Sequence, residues 1–174
     1  MRYCPYWTRA IVAAALAFGA PAVRAGDDDQ LNLNVHVYGF SYHTDQQGVK
    51  QNGLDNQLNL GLGLNYEFHN DERGVGFVEA GFYQDSGSNT AKLAGVGYQY
   101  KLGRNWRLGG ALVGLKSPTY NQGSFFIAPL PILTYDFGPV QLNAIYVPPY
   151  GDYNEFAVFG FYFSVPLGKN GSTH

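Results

Sequence analysis

The stretch QLNLGLGLNYEF, residues 57–68, alternates between two kinds of residue without a break. Leucine, tyrosine or phenylalanine occupies every second position from Leu58 to Phe68, and glycine or a polar residue fills the positions between them. A period of two is typical of a β-strand, because successive side chains point to opposite faces of the sheet. A single strand of this kind is compatible with a membrane barrel and with a water-soluble sandwich, so the rest of the chain has to separate these two classes.

The same alternation recurs along the chain in segments of roughly ten residues that turn signals separate, which is the pattern of outer-membrane barrels. The predicted strands lie near residues 31–43, 57–68, 75–84, 92–102, 106–116, 124–136, 140–148 and 155–167. An even number of strands closes the sheet, and closure is required because an open edge leaves backbone groups unpaired in hydrocarbon. We therefore predict an all-β fold, an eight-stranded antiparallel transmembrane outer-membrane β-barrel over residues 26–167. A lipocalin-like or sandwich protein is the water-soluble alternative.

The two ends of the chain are expected to lie outside this barrel. Residues 1–25 have the pattern of a secretory signal peptide, with Arg2 and Arg9 ahead of an apolar run too short to span a bilayer. Cys4, which is the only cysteine, should leave with this segment, so no disulfide is expected in the mature protein. Residues 168–174 form a polar C-terminal tail. We expect export to the bacterial outer membrane after signal cleavage.

The composition limits the class of partner. Charged residues make up only 14% of the chain and aromatic residues 16%, and the formal net charge is −2. This balance lacks the basic patch of a nucleic-acid-binding protein. We expect membrane lipids as partners, a monomer, no nucleic acid, no cofactor and no metal.

One loop carries the residue types of a catalytic site. Residues 81–97, GFYQDSGSNTAKLAGVG, predict a strand, an exposed turn and a second strand, with Asp85 and Ser86 in the turn. Short connections alternate with longer polar ones along the chain. If the short turns are periplasmic, Asp85 and Ser86 lie on the cell-surface rim.

Glycines and prolines indicate two irregular features of the barrel. Several positions predicted to face inward are glycine, including Gly97. These glycines either permit strong bending of a narrow barrel or leave space for a slender apolar ligand such as an acyl chain. Pro129 and Pro131 interrupt a predicted strand, and Pro148-Pro149 end the next one. Because proline donates no hydrogen bond to the ladder, this cluster predicts either a gap between neighbouring strands or a tolerated bulge.

Together these pieces resemble the lipid A palmitoyltransferase (PagP) family of outer-membrane enzymes. The similarity rests on DSGSNTAKLAGVG at residues 85–97, FIAPLPIL at 126–133, FGPVQLNAIYVP at 137–148 and YGDYN at 150–154. The resemblance implies a catalytic histidine, aspartate and serine near the cell surface, of which the last two match Asp85 and Ser86. It also implies that the acyl-chain pocket ends at Gly97.

The histidine has two candidates. We favour His43, because it ends its predicted strand on the rim that carries Asp85 and Ser86. His36, seven residues earlier in the same strand, has the opposite parity and should point into the barrel. A gapped alignment to the family supports His36 almost as well, so it stays the alternative.

The expected function is therefore transfer of a fatty acyl, palmitoyl-like chain from a phospholipid to lipid A or a related lipid. Ser86 would attack or polarise the ester, His43 would act as general base, and Asp85 would orient the imidazole. Two alternatives remain open. The first is a non-catalytic barrel that binds lipid or has a structural role, and the second is a lipid A deacylase or phospholipase that uses water as acceptor.

Overall fold

The computed structural model describes residues 32–149, 154 and 156–167. The strands are β1 (Leu33–His43), β2 (Leu58–Asn70), β3 (Gly74–Gln84), β4 (Thr90–Lys101), β5 (Trp106–Lys116), β6 (Phe126–Asp136), β7 (Gln141–Val147) and β8 (Val158–Pro166). A short helix, α1 (Gln46–Gln51), follows β1, and a 3-10 turn at Asn121–Gly123 precedes β6. No helix within the described residues is long and apolar enough to cross a membrane. The expected signal peptide (1–25) and C-terminal tail (168–174) lie outside the described residues.

The sheet is closed. Each strand pairs antiparallel with the next one in sequence, and β1 pairs with β8 to complete a barrel of eight strands. The predicted fold class is therefore confirmed. Short turns connect the strands at one end of the barrel, called here the short-turn end, and longer connections lie at the other, the loop end.

The exterior of the barrel is apolar. The four leucines of β2 from Leu58 to Leu64 are each more than half exposed, whereas Asn59 and Asn65 on the opposite face of the strand are buried. Large exposed apolar residues recur on the other strands, for example Phe40, Phe82, Val96, Leu112, Ile127 and Phe163. An apolar exterior around a polar interior is the reverse of a water-soluble protein, and it matches the lipid-facing surface of a membrane barrel. The water-soluble alternative is therefore wrong.

Hydrogen-bonded polar side chains fill the interior at the short-turn end. Gln99 Nε2 donates to Thr134 Oγ1 at 2.7 Å, and Thr134 Oγ1 donates to Asn143 Oδ1 at 2.6 Å. Asn143 Nδ2 in turn donates to Ser164 Oγ at 2.7 Å. These four residues, together with Arg107 and its carboxylate partners Glu67 and Asp136, are called here the polar network. The network occupies the part of the lumen through which a solute would otherwise have to pass.

The interior closer to the loop end is apolar instead. The buried cluster there consists of Phe77, Ala111, Val113, Leu115, Leu130 and Ile132. These residues come mainly from β5 and β6, which lie opposite β1 in the closed sheet. The barrel wall is thus aliphatic on the side that faces β1.

The ladder between β6 and β7 is incomplete. β6 pairs with β5 from Phe126 to Tyr135, but its pairing with β7 covers only the stretch from Ile132 to Asp136. Pro129 and Pro131 lie in the part of β6 that has no register partner in β7. The gap predicted from these prolines is present among the described residues. It opens in the wall at the loop end, beside the apolar interior.

Candidate active site

A β-bulge in β1 decides which residues of that strand reach the interior. Tyr38 pairs with Gly61, but Phe40 pairs with Leu58, so the register shifts around Gly39. An extra residue reverses the alternation beyond it. As a result His36 and Tyr38 are buried before the bulge and His43 after it, whereas Phe40 is exposed. The expectation that the two histidines have opposite parity is therefore wrong, because strict alternation takes no account of the bulge.

His43 and Ser86 meet inside the loop end of the barrel. His43 Nε2 lies 3.2 Å from Ser86 Oγ, and both residues are buried. His43 is the last residue of β1, and Ser86 lies in the turn after β3. At this distance the hydroxyl can donate to the imidazole. The structure thus brings together two of the residues that the sequence predicted.

His36 lies in a different environment. Its Nδ1 is 3.4 Å from Glu79 Oε2, and its ring contacts the ring of Tyr162 with the centroids 4.9 Å apart. Glu79 and Tyr162 are both buried. No hydrogen bond among the described residues links His36 to Ser86. Its surroundings are those of an interior structural histidine, as its predicted inward orientation suggested.

Asp85 is fully buried, but it does not contact His43. Its Oδ1 accepts from the backbone N–H groups of Gly87 at 3.0 Å and Asn89 at 2.9 Å, and from Thr119 Oγ1 at 2.9 Å. Its Oδ2 accepts from the hydroxyl of Ser117. The predicted orienting contact between Asp85 and the imidazole is therefore absent from the described hydrogen bonds. The carboxylate instead fixes the turn that carries Ser86.

Within the described part of the chain, the imidazole of His43 has no second hydrogen-bond partner. Its Nδ1 is buried without a hydrogen bond among the described residues. A Ser–His–Asp triad would place a carboxylate at this nitrogen. The arrangement is therefore a hydroxyl–imidazole pair.

Loops from both sides hold the Ser86 turn. Asn56, in the connection between β1 and β2, donates from Nδ2 to the carbonyl of Asp85 at 2.8 Å and from its backbone N–H to the carbonyl of Ser86 at 3.1 Å. Thr119, in the connection between β5 and β6, binds Asp85 and also accepts from Asn89 Nδ2 at 3.0 Å. Three connections that are distant in sequence thus position one serine.

Tyr120 adds a phenol next to this serine. Its hydroxyl interacts with Ser86 and with Tyr83. Desolvation, followed by the nearby Asp85 carboxylate, raises the pKa of Tyr120 above its ordinary value. The phenol therefore stays protonated at neutral pH and can serve as a hydrogen-bond donor beside Ser86.

Below the pair lies an apolar cavity of about 140 Å³. Ser41, Asn59 and Ser86 line it near the loop end, and Tyr38 and Tyr162 line it towards the middle of the barrel. Most of its wall is aliphatic, formed by residues such as Leu93, Val113, Leu115, Leu130, Ile132, Ile145 and Val147. The wall includes residues of β6 and β7 on both sides of the gap between these strands. A hydrocarbon chain placed here would have its polar end close to Ser86.

Aromatic side chains fill the space beside three of the glycines that were predicted to face inward. Gly97 does not line this cavity, because Phe77 occupies the space where a Cβ of residue 97 would lie. The prediction that the pocket ends at Gly97 is therefore wrong in this structure. The space left by Gly63 and Gly81 is likewise filled, since Tyr38 Oη would lie 2.7 and 2.8 Å from a Cβ at these two positions. Tyr38, rather than a glycine, forms the floor together with Tyr162 and Glu79.

Sequence reasoning missed several residues of the site. Ser117, Thr119 and Tyr120 follow β5 in the stretch KSPTY, about thirty residues after Asp85, and nothing in the local sequence links them to it. Asn56 is equally remote. Gly39 is the one feature that offered a signal, because a glycine within an alternating strand often marks a bulge. No group of three or more histidine, cysteine or acidic residues suited to hold a metal occurs among the described residues.

The closed sheet and its apolar exterior define the class of protein: an eight-stranded barrel of the outer-membrane type. No protein-family model matches the chain, and no curated protein does. Among solved structures, the chain is similar to the outer membrane protein Ail of Yersinia pestis, whose backbone structure was determined in a phospholipid bilayer nanodisc. The two are 11% identical, the match covers 77% of this chain and 98% of that chain, and the TM-score is 0.47.

Proposed function

We propose that this protein is a bacterial outer-membrane acyltransferase that moves a fatty acyl chain from a phospholipid to lipid A or a related lipid. The observation that carries the proposal is the 3.2 Å contact between His43 Nε2 and Ser86 Oγ at the mouth of an apolar cavity. We further propose that the protein is a divergent member of the lipid A palmitoyltransferase (PagP) family, on the basis of the sequence resemblance.

The chemistry follows from the two side chains. Ser86 Oγ donates its proton to His43 Nε2 as it attacks the ester carbonyl of the donor lipid, and the protonated imidazole then returns the proton to the departing alcohol. The acceptor hydroxyl then gives its proton to His43 Nε2 as it attacks the acyl group on Ser86, and the imidazolium returns that proton to Ser86 Oγ as the acyl–serine bond breaks. Tyr120, whose hydroxyl interacts with Ser86, would donate to the developing oxyanion.

The cavity limits the chain that it accepts. Its volume of about 140 Å³ is close to that of a ~150 Å³ apolar cavity that binds benzene, so it holds on the order of six carbons. A palmitoyl-length chain therefore needs Tyr38 to move, or has to extend through the gap between β6 and β7. We accordingly expect a preference for chains shorter than palmitoyl.

A lipid-binding barrel without catalysis is the second candidate. His43 Nδ1 has no hydrogen-bond partner among the residues that the structure describes, and this favours the second candidate, because an imidazole without an orienting acceptor is a weaker general base than one in a triad. The apolar cavity would serve this function equally well.

Mass spectrometry of lipids incubated with the reconstituted protein tests the proposal. We expect an added acyl mass on lipid A, and a loss of that product of at least a hundredfold in Ser86→Ala and in His43→Ala. Ser124→Ala, an exposed hydroxyl in another loop, is the matched control and should keep full activity. A lost acyl mass would indicate a deacylase, and unchanged lipids with bound phospholipid would favour the lipid-binding barrel.

A further inference from the structure

Two lysines face each other on the outer wall of the barrel. Lys92 of β4 and Lys116 of β5 are register partners. Both side chains are exposed, whereas their neighbours Ala91 and Leu115 are buried, so the lysines point away from the interior. Like charges directly opposite each other on neighbouring strands are destabilising. Neither lysine forms a salt bridge within the described part of the chain.

The pair lies where the apolar exterior ends. Further along the same outer faces, away from the loop end, come Val96 of β4 and Leu112 of β5, both exposed. The register partner of Lys92 on its other side is the exposed Phe82. A lysine on the lipid-facing side of a membrane barrel costs far less near the interface than at the bilayer midplane. We therefore infer that the two ammonium groups lie at the depth of the lipid headgroups.

We propose that Lys92 and Lys116 bind the phosphate of an anionic lipid that lies against the outside of β4 and β5. One phosphate placed between two ammonium groups removes their mutual repulsion and gains two charge-assisted hydrogen bonds. The aromatic and aliphatic side chains beside the pair contact the acyl chains of the same lipid. A free anion would lack this second contact, which is why the geometry points to a lipid.

Other basic residues differ from this pair in their surroundings. Lys101 Nζ donates to Asn70 and to the backbone of Asp71, and Arg107 lies between carboxylates in the polar network. Lys50 is exposed in α1, in the loop after β1. It therefore supplies a control with the same charge at the same end of the barrel.

The position of the pair also links it to the candidate active site. Lys92 follows the turn that contains Ser86 by a few residues, at the start of β4. A lipid held there by its phosphate presents its headgroup at the rim next to the serine. This part of the inference rests on the proposed function, and it assigns the bound lipid the role of acyl acceptor.

Binding is measured separately from catalysis. The protein with Ser86→Ala, folded in an uncharged detergent, is titrated with lipid A and followed by native mass spectrometry. A lysine near an anionic headgroup contributes ~1 kcal/mol, so we expect about fivefold weaker binding in Lys92→Gln or Lys116→Gln and roughly 25-fold weaker binding in the double variant. Lys50→Gln should bind as before, and the double arginine variant should keep the affinity.

Titrations with two other ligands identify the kind of molecule that the lysines bind. Phosphatidylcholine, whose headgroup carries no net charge, should bind equally to all variants, and inorganic phosphate alone should not compete at concentrations equal to those of the lipid. Unchanged lipid A affinity in the double glutamine variant overturns the proposal, as does an equal loss in Lys50→Gln. Competition by equimolar inorganic phosphate would assign the pair to a free anion and would also overturn it. If lipid A binds through the lysines but no acyl mass is transferred by the unmodified protein, the binding site stands and the proposed acyltransferase falls.

Discussion

At the scale of single residues, Tyr38 separates the apolar cavity from the polar interior of the barrel. Its ring contacts Tyr83 and Tyr162, with centroids 5.5 and 5.6 Å apart, and its hydroxyl lies in the space left by Gly63 and Gly81. The phenol therefore closes the cavity from below. Its size, and not its hydrogen bonding, should limit the length of a bound chain, because Tyr38 Oη has no partner among the described residues.

Replacing Tyr38 should change chain length. We expect Tyr38→Ala to shift product chains towards longer ones by several carbons, since each additional buried methylene gains ~0.8 kcal/mol, about a fourfold preference. Tyr38→Phe keeps the ring and should leave the chain length unchanged. Gly97→Ala is the comparison outside the cavity: its new Cβ meets Phe77, so it should lower stability without shortening the chain. Mass spectrometry of the products checks all three variants, and a shorter chain in Gly97→Ala would contradict this placement of the floor.

Asp85 is expected to act through the backbone rather than through His43. Asp85→Ala removes the acceptor for two backbone N–H groups and two hydroxyls, and a hydrogen bond to a charged group is worth ~1.5–3 kcal/mol. We expect faster hydrogen exchange at the amides of Gly87 and Asn89, together with at least tenfold lower activity. Thr119→Val should have a smaller effect in the same direction. Lost activity with unchanged amide protection would instead assign Asp85 a part in the chemistry.

At the scale of elements, the bulge in β1 is the feature on which the site depends. The alternation beyond the bulge depends on a single extra residue, so one more residue inserted after Gly39 would turn His43 outward and Phe40 inward. We expect insertion of one glycine after Gly39 to abolish activity and to lower the unfolding temperature, because aromatic side chains would enter the narrow lumen. Tyr42→Cys reports the change, since a membrane-soluble maleimide should label it in the normal strand and not in the insertion variant. Equal labelling in both would show that the strand absorbs the inserted residue and keeps its orientation.

The elements also show where sequence reasoning succeeds and where it fails. The leucines from Leu58 to Leu64 predicted the strand, because alternation is a local property that any strand displays, and the recurrence of this pattern along the chain predicted the membrane barrel. Pro129 and Pro131 predicted the gap for a similar reason, since the missing N–H is a property of the residue itself. The floor at Tyr38 and the partners of Asp85 depend on which distant residues the closed sheet brings together. Gly97 could not reveal that Phe77 fills its place, because the two meet only through the pairing of β3 with β4.

At the scale of the whole molecule, the polar network stabilises the closed barrel. Arg107 lies 3.4 Å from Glu67 and 3.2 Å from Asp136, and it joins these carboxylates across three different strands. Removing one partner of a largely buried ion pair costs about 3–5 kcal/mol, because it leaves the other charge unpaired. The network should therefore contribute to stability without affecting lipid selection.

Arg107→Leu tests this role. We expect a clearly lower midpoint in urea unfolding, followed by the mobility of unheated samples on gels, while product chain length stays the same. Arg104→Leu, an exposed residue in the turn before β5, is the control and should unfold like the unchanged protein. A midpoint for Arg107→Leu equal to that of the control would mean that the network fills space without contributing to stability.

The closure of β1 on β8 determines when the pair formed by His43 and Ser86 is first assembled. His43 is held by its register partner Val158 in β8, and the Ser86 turn is held by Asn56 and, through Asp85, by Thr119. These contributors are spread from the first strand to the last, so the pair of side chains exists only after the sheet has joined its two ends. A chain still in transit to the membrane therefore has no assembled site, and under the proposed function it would leave the lipids that it passes unaltered. Insertion would thereby serve as the maturation step.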